Sequence, residues 1–177
     1  MTAAPASATV LVVQHEESTG PGWFGEWLRE AGLVLDVAHP YLGTALPDIG
    51  AYDGLLVLGG AMGPADDERC PWLPATRALM ADAVVRSLPT FGICLGGELL
   101  ALACGGEVAR GRNGPELGVL PVQARPEAAD DPLFGGIVDA SVVQWHWEEI
   151  ATLPESAVWL VTGDAYPHQA FRVGPAA

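Results

Sequence analysis

The chain has 177 residues, half of them hydrophobic and 17% charged. As a prior that means one domain with interior enough for a substantial core, and it excludes a disordered chain. Its 22 acidic residues face only 8 basic ones, all arginine, for a formal charge of −14, so phosphate backbones and anionic lipid are repelled and neither nucleic acid nor a membrane surface is an expected partner.

The 22 glycines and 15 prolines follow no period, which suits many tight turns and not a collagen repeat. No apolar run approaches the ~18 residues needed to span a bilayer. Thr2 to Ala8 is small and uncharged, without the basic and long apolar regions of a signal peptide, so residues 1–8 are expected to form a disordered lead-in. Residues 9–177 show no internal repeat and no long linker, and they read as one continuous domain.

Thr9 to Val13 is a short β-branched run that predicts a buried strand. Trp23, Phe24, Trp27, Leu28 and Ala31 recur at helical spacing, with Gly32 as the stop. Val34 to Ala38 predicts a second strand, and Leu55 to Leu58 a third that Gly59-Gly60 ends abruptly. Leu73 to Arg86 predicts a helix with Leu79, Met80, Ala83 and Val84 on one side and Pro74 in the first turn, where proline is tolerated. Thr90 to Ile93 is the next strand, and Gly97 to Ala103 the next helix. Short buried strands alternating with helices predict a mainly parallel α/β sheet.

The second half changes character. Val108, Val119 to Val122, Ser141 to Trp145, Val158 to Val161 and Ala170 to Val173 are strand candidates with short or irregular connections. They predict antiparallel additions. The six tryptophans read as core or groove walls, and the adjacent Glu148 and Glu149 as a solvated turn.

Cys70, Cys94 and Cys104 form no CxxC pair and are odd in number, so neither a disulfide framework nor a zinc site is indicated. No metal or organic cofactor is called for, and a reducing cytoplasm fits. Cys70 and Cys104 read as inert packing residues.

Cys94 differs. Phe91-Gly92-Ile93-Cys94-Leu95-Gly96-Gly97-Glu98-Leu99 places it between a strand and a helix, with glycine two residues to either side. This is the cysteine form of a nucleophile elbow. The sharp turn crowds both flanking positions, so they must be small. It also sets the thiol at a helix N-terminus, where the dipole favours thiolate. A structural cysteine in a glycine-rich turn is the competing reading. The loop Leu58-Gly59-Gly60-Ala61-Met62-Gly63 follows the third strand, and in a doubly wound sheet such loops gather at the carboxyl edge beside the elbow. There its backbone N–H groups, with that of Leu95, could meet a developing oxyanion. The order and separation of the two motifs are more specific than either alone.

With these motifs the sequence resembles the class I glutamine amidotransferases, particularly their stand-alone, GMP synthase-like branch. The matching stretches are Val10 to Glu16, Tyr52 to Gly60, Pro71-Trp72-Leu73, Pro89 to Leu102, Gln144-Trp145-His146 and Gln169 to Arg172. The resemblance implies a flavodoxin-like sheet and an enzyme that hydrolyses the side-chain amide of free glutamine through a cysteine thioester, supplying ammonia to a synthetase or other acceptor partner. It assigns Cys94 as the nucleophile, Gly59 or Gly60 with Leu95 as oxyanion donors, and Glu98, His146 and Trp147 to substrate binding.

Two departures from the family pattern stand out. Glu98 occupies a position where the family carries glutamine; an ionised carboxylate there would oppose the thiolate, or Glu98 could simply face solvent. The family's general-base histidine and its orienting glutamate follow the segment matching Gln169 to Arg172, and the chain's last residue, Ala177, precedes that motif. The 177 residues are therefore expected to be C-terminally incomplete and weak or inactive by themselves. Of the four histidines, His146 at a strand end and His15 at the carboxyl edge after the first strand read as structural residues, while His39 and His168, beside prolines, read as solvated. Two alternatives remain open: a non-catalytic glutamine- or glutamate-binding or regulatory descendant, and a cysteine hydrolase of γ-glutamyl compounds.

Overall fold

A computed structural model describes residues 7–136 and 140–177. Most of the expected lead-in, residues 1–6, lies outside the described residues. Two compact units divide the chain at Leu100 and Ala101.

The first unit is built on four parallel strands, β1 (Thr9–Val13), β2 (Val34–Ala38), β3 (Gly54–Val57) and β4 (Thr90–Gly92), in the order β2-β1-β3-β4. Leu11, Val12, Val13 and Leu55 to Val57 are all buried. The two inner strands, covered on both faces, therefore read as unbroken apolar runs and not as alternating patterns. Helices α1 (Gly22–Glu30) and α2 (Leu73–Val85) belong to this unit, and α3 (Leu95–Ala103) begins in it. Phe24 and Leu28 of α1 pack on the cluster of Val12, Leu56 and Leu58.

The helix faces differ from expectation in two places. Trp23 is 78% exposed and Trp27 61%, so the inward side of α1 consists of the buried Gly25 and the half-buried Phe24 and Leu28. A nine-residue helix turns only one side to a sheet, and aromatic residues flanking that side remain in solvent. Trp145 is also exposed, so three of the six tryptophans are not core residues. On α2 the buried residues are Leu73, Thr76, Met80 and Ala83, a stripe rotated from the expected one. It accepts Thr76 because that hydroxyl donates to the Trp72 carbonyl at 3.0 Å.

The second unit is antiparallel. Strands β6 (Glu116–Ala124), β7 (Ala140–His146), β9 (Ala157–Gly163) and β10 (Ala170–Val173) form one sheet in the order β10-β9-β6-β7. Strands β5 (Glu107–Arg110) and β8 (Glu148–Thr152) form a separate ribbon. Val122, Ala128, Leu160 and Val161 make its core. Glu148 and Glu149, expected in a turn, open β8. Glu148 is paired in register with Arg110, and their side chains meet at 3.1 Å, a cross-strand charge pair that suits an exposed ladder. A parallel α/β sheet with helices, followed by antiparallel strands in the second half, is the architecture expected from the sequence.

Candidate active site

Cys94 lies between β4 and α3 with φ at +53°, left-handed backbone that a non-glycine residue rarely adopts, and it is exposed. Strain of this kind marks a strand-to-helix turn that thrusts one side chain out of the sheet. The flanking glycines make the turn possible. A β-carbon on Gly92 would lie 2.6 Å from the Gly96 carbonyl group, and one on Gly96 would collide with the Val57 carbonyl oxygen. Helix α3 starts at Leu95, two residues earlier than expected. Cys94 thus directly precedes the helix, and its carbonyl accepts from the Glu98 N–H at 3.0 Å.

The β3 loop comes to the same place. A β-carbon on Gly59 would stand 3.5 Å from Cys94 Cβ and 3.9 Å from Sγ, and one on Gly60 would stand 3.0 Å from a Leu95 methyl group and 3.2 Å from His15 Cβ. Gly59, Gly60, Cys94, Leu95 and His15 therefore cluster at the carboxyl edge, where the strand order reverses and open α/β sheets bind their ligands. Leu95 itself is buried. Glu98 is buried too, so the solvent-facing reading of its side chain does not hold. The first turn of α3 packs inward and takes the carboxyl group with it.

Of the remaining cysteines, Cys70 is buried and Cys104 half-buried, and burial pushes both thiols up. That leaves them poor nucleophiles.

His15 is the fully buried histidine of the first unit. Burial drives its imidazole down to about 4, and its Nδ1 accepts from the Trp72 indole at 3.1 Å.

The second unit holds its own polar cluster. His146 Nε2 lies 2.9 Å from Glu116 Oε2, and His146 Nδ1 lies 2.7 Å from the Glu148 carbonyl. Gln169 donates to the same Glu116 oxygen at 2.8 Å and accepts from Gln144 at 2.7 Å. Both nitrogens of His146 are engaged, which disqualifies it as an available general base. Glu148, two residues on, offers the ring only its backbone, since its carboxylate is turned to Arg110. Sequence reading missed Glu116, an ordinary acid at a strand start with no local signal that His146 of β7 lies opposite. Trp147 is half-buried and meets Trp145 edge-on at 6.1 Å. His168, expected in solvent, donates to the Ile150 carbonyl at 2.6 Å and stacks edge-on against Trp159. His39 is half-buried beside Tyr41.

Among the described residues, no three His, Cys, Asp or Glu side chains gather as a metal-binding group, and no helix is long and apolar enough to cross a membrane.

A cysteine held in left-handed backbone at a strand–turn–helix elbow, with a Gly-Gly turn against it, defines an α/β protein of the elbow type. Residues 28–172 match the family model of the class-I glutamine amidotransferases, and the chain belongs to that family. It is 29% identical over 172 residues to the glutamine amidotransferase-like protein YfeJ of Salmonella typhimurium, covering 93% of this chain and 70% of YfeJ. It is 36% identical over 122 residues to the glutamine-hydrolyzing GMP synthase component of Methanosarcina barkeri, covering 68% of this chain and 57% of that one. A solved glutamine amidotransferase from Thermotoga maritima superposes with a TM-score of 0.89 at 29% identity, over 97% of this chain and 74% of the other. The chain thus spans little more than half of the synthase component and about three quarters of the solved structure. The fold is the flavodoxin-like one of that family.

Proposed function

We propose that this domain hydrolyses the side-chain amide of free glutamine. The Cys94 sulfur bonds to the amide carbon, the thiol proton passes to the leaving nitrogen, and ammonia departs. Water then cleaves the γ-glutamyl thioester, releasing glutamate and regenerating the thiol. The observation that carries this reading is the strained backbone of Cys94 in the turn closed by Gly92 and Gly96, with Gly59 alongside the sulfur.

In this reading Gly59 or Gly60 and Leu95 supply backbone donors to the oxyanion. Glu98 stands where the substrate amide is held; as a carboxylate it accepts from the amide N–H₂ but cannot donate to it. By resemblance to the family, His146 and Trp147 are assigned to substrate binding, with both nitrogens of His146 already bonded within its own unit. Neither His146 nor the neutral, buried His15 acts as the triad base, a role the family gives to its His-x-Glu motif. The ammonia would pass to a synthetase partner, a reading supported by the similarity to a GMP synthase component. A reducing cytoplasm suits a thiol nucleophile.

The test is covalent capture. 6-Diazo-5-oxo-L-norleucine, a glutamine analogue, should form a single adduct on Cys94 in the folded 177-residue chain, mapped by mass spectrometry and absent from Cys94→Ala. A folded chain that reacts with iodoacetamide at Cys94 but never with the analogue would sink the proposal. Faster acylation by γ-glutamyl peptides than by glutamine would transfer it to the γ-glutamyl hydrolases.

A further inference from the structure

His15 is wholly buried just beyond the end of β1, the strand at the reversal of the sheet order. The Trp72 indole N–H donates to its Nδ1 at 3.1 Å. An indole can only donate, so Nδ1 is the unprotonated nitrogen, and the single proton of a neutral ring resides on Nε2. Burial keeps the ring neutral, since its ionisation is pushed down to about 4. Nε2 is itself buried, with no hydrogen-bond partner among the described residues.

The same residue underlies the turn beside Cys94. His15 Cβ would stand 3.2 Å from a β-carbon on Gly60, and Gly60 in turn packs against Leu95, the residue that follows Cys94. An unsatisfied buried N–H costs stability, and an apolar ring would fill the same space without that cost. A residue that carries a costly buried polar group and whose Cβ lies against the turn flanking a nucleophile is where stability and function trade against each other.

We infer that His15 is a positioning residue: fixed as its Nε2–H tautomer by Trp72, it braces the Gly59–Gly60 turn from beneath and so sets the backbone donors that meet the glutamine amide oxygen. The inference rests on the glutamine-hydrolysis reading and adds to it a residue and a tautomer. His15 and Trp72 act through the turn and touch no reacting atom.

Two reagents separate positioning from mere stability. Iodoacetamide reports the Cys94 thiol, whereas 6-diazo-5-oxo-L-norleucine needs the thiol and a seated γ-carbonyl group. In the double variant His15→Phe/Trp72→Phe, both polar partners become apolar together. Its thermal midpoint is expected at or above that of the parent chain and its iodoacetamide rate within twofold, while its rate with the glutamine analogue falls at least tenfold. A folded double variant with an unchanged analogue rate overturns the inference and leaves the function intact. A parent chain inert to the analogue but alkylated by iodoacetamide removes the functional reading, and the positioning role with it.

His15→Asn guards against a double variant that fails to fold. Its Oδ1 can replace Nδ1 as the acceptor for Trp72, so it is expected to keep the analogue rate within threefold of the parent. A tenfold loss in folded His15→Asn would overturn the bracing role of Trp72. Nitrogen-15 spectra of the histidine rings give a readout independent of reactivity. A neutral His15 with its proton on Nε2 at pH 7 is expected, and a proton on Nδ1 would overturn the assignment.

Discussion

His146 is clamped between two acceptors, the Glu116 carboxylate at 2.9 Å and the Glu148 carbonyl at 2.7 Å. Gln169 donates to the same Glu116 oxygen, so that carboxylate is an acceptor twice over. Glu116→Gln removes the charge while keeping the shape. It is expected to cost less stability than Glu116→Leu, because the amide oxygen can still accept from His146 and Gln169, and urea midpoints of the two variants will compare them. Glu116→Leu should cost about 3 kcal/mol, because the partners of a buried charge are left unsatisfied. A cost below about 0.5 kcal/mol by urea unfolding would contradict that clamp.

The elbow glycines should be unequal to Gly59. Gly92→Ala and Gly96→Ala each drive a methyl group into backbone, and each is expected to destabilise the first unit by about 3 kcal/mol. Gly59→Ala meets Cys94 only at ordinary contact distance, 3.5 Å, and should change stability by under about 1 kcal/mol. Denaturant midpoints for the three variants measure the contrast.

Cys94 holds a φ of +53°, a conformation that costs an L-residue roughly 1–2 kcal/mol. Cys94→Gly relieves that strain. Calorimetry should show a thermal midpoint at or above the parent's, together with complete loss of labelling by the glutamine analogue. A clear drop in midpoint would mean that the thiol contributes more to packing than the strain takes away.

Acid should weaken the fold through His15. Its folded-state ionisation lies near 4, against 6.5 for an ordinary histidine. Between those values the unfolded chain binds a proton that the folded chain refuses, so stability is full above about pH 6.5 and declines as the pH falls towards 4. The decline is at most about 3 kcal/mol. In His15→Phe this component disappears, which urea midpoints at pH 7 and pH 4.5 will show.

Asp131 and Arg172 offer the opposite test. Burial pushes the Asp131 carboxyl up, but the Phe134 and Leu133 amides and the Arg172 guanidinium together hold it below the usual range. The stability it contributes is therefore present above the ordinary carboxylate value and is lost only as the pH falls through the lowered one. Asp131→Asn should cost about 2–4 kcal/mol at pH 7, leaving Arg172 without its counter-charge. A midpoint equal to the parent's would show the pair to be dispensable.

Much of the first unit was legible from local pattern. Val10 to Val13 and Leu55 to Val57 announced buried parallel strands because both faces of such strands are covered, and β1 and β2 fall where the apolar runs place them. The elbow was legible for a similar reason: a turn that admits only glycine two residues either side of one cysteine writes its geometry into composition. The second unit was harder. Strand β8 begins with two acids, and only its partner β5, nearly forty residues earlier, makes Glu148 a strand residue through Arg110.

The sequence by itself determined most elements of the first unit, the elbow and the family resemblance, because each depends on residues that neighbour one another along the chain or repeat with a helical or strand period. Tertiary structure alone decided that Trp23 and Trp27 face solvent, that Glu98 is buried, that Glu116 and Glu148 occupy both nitrogens of His146, and that Trp72 sets the tautomer of His15 beneath Gly60. These are long-range pairings and burials. The energy of a buried polar group depends on which distant atom answers it, and no local spacing carries that information.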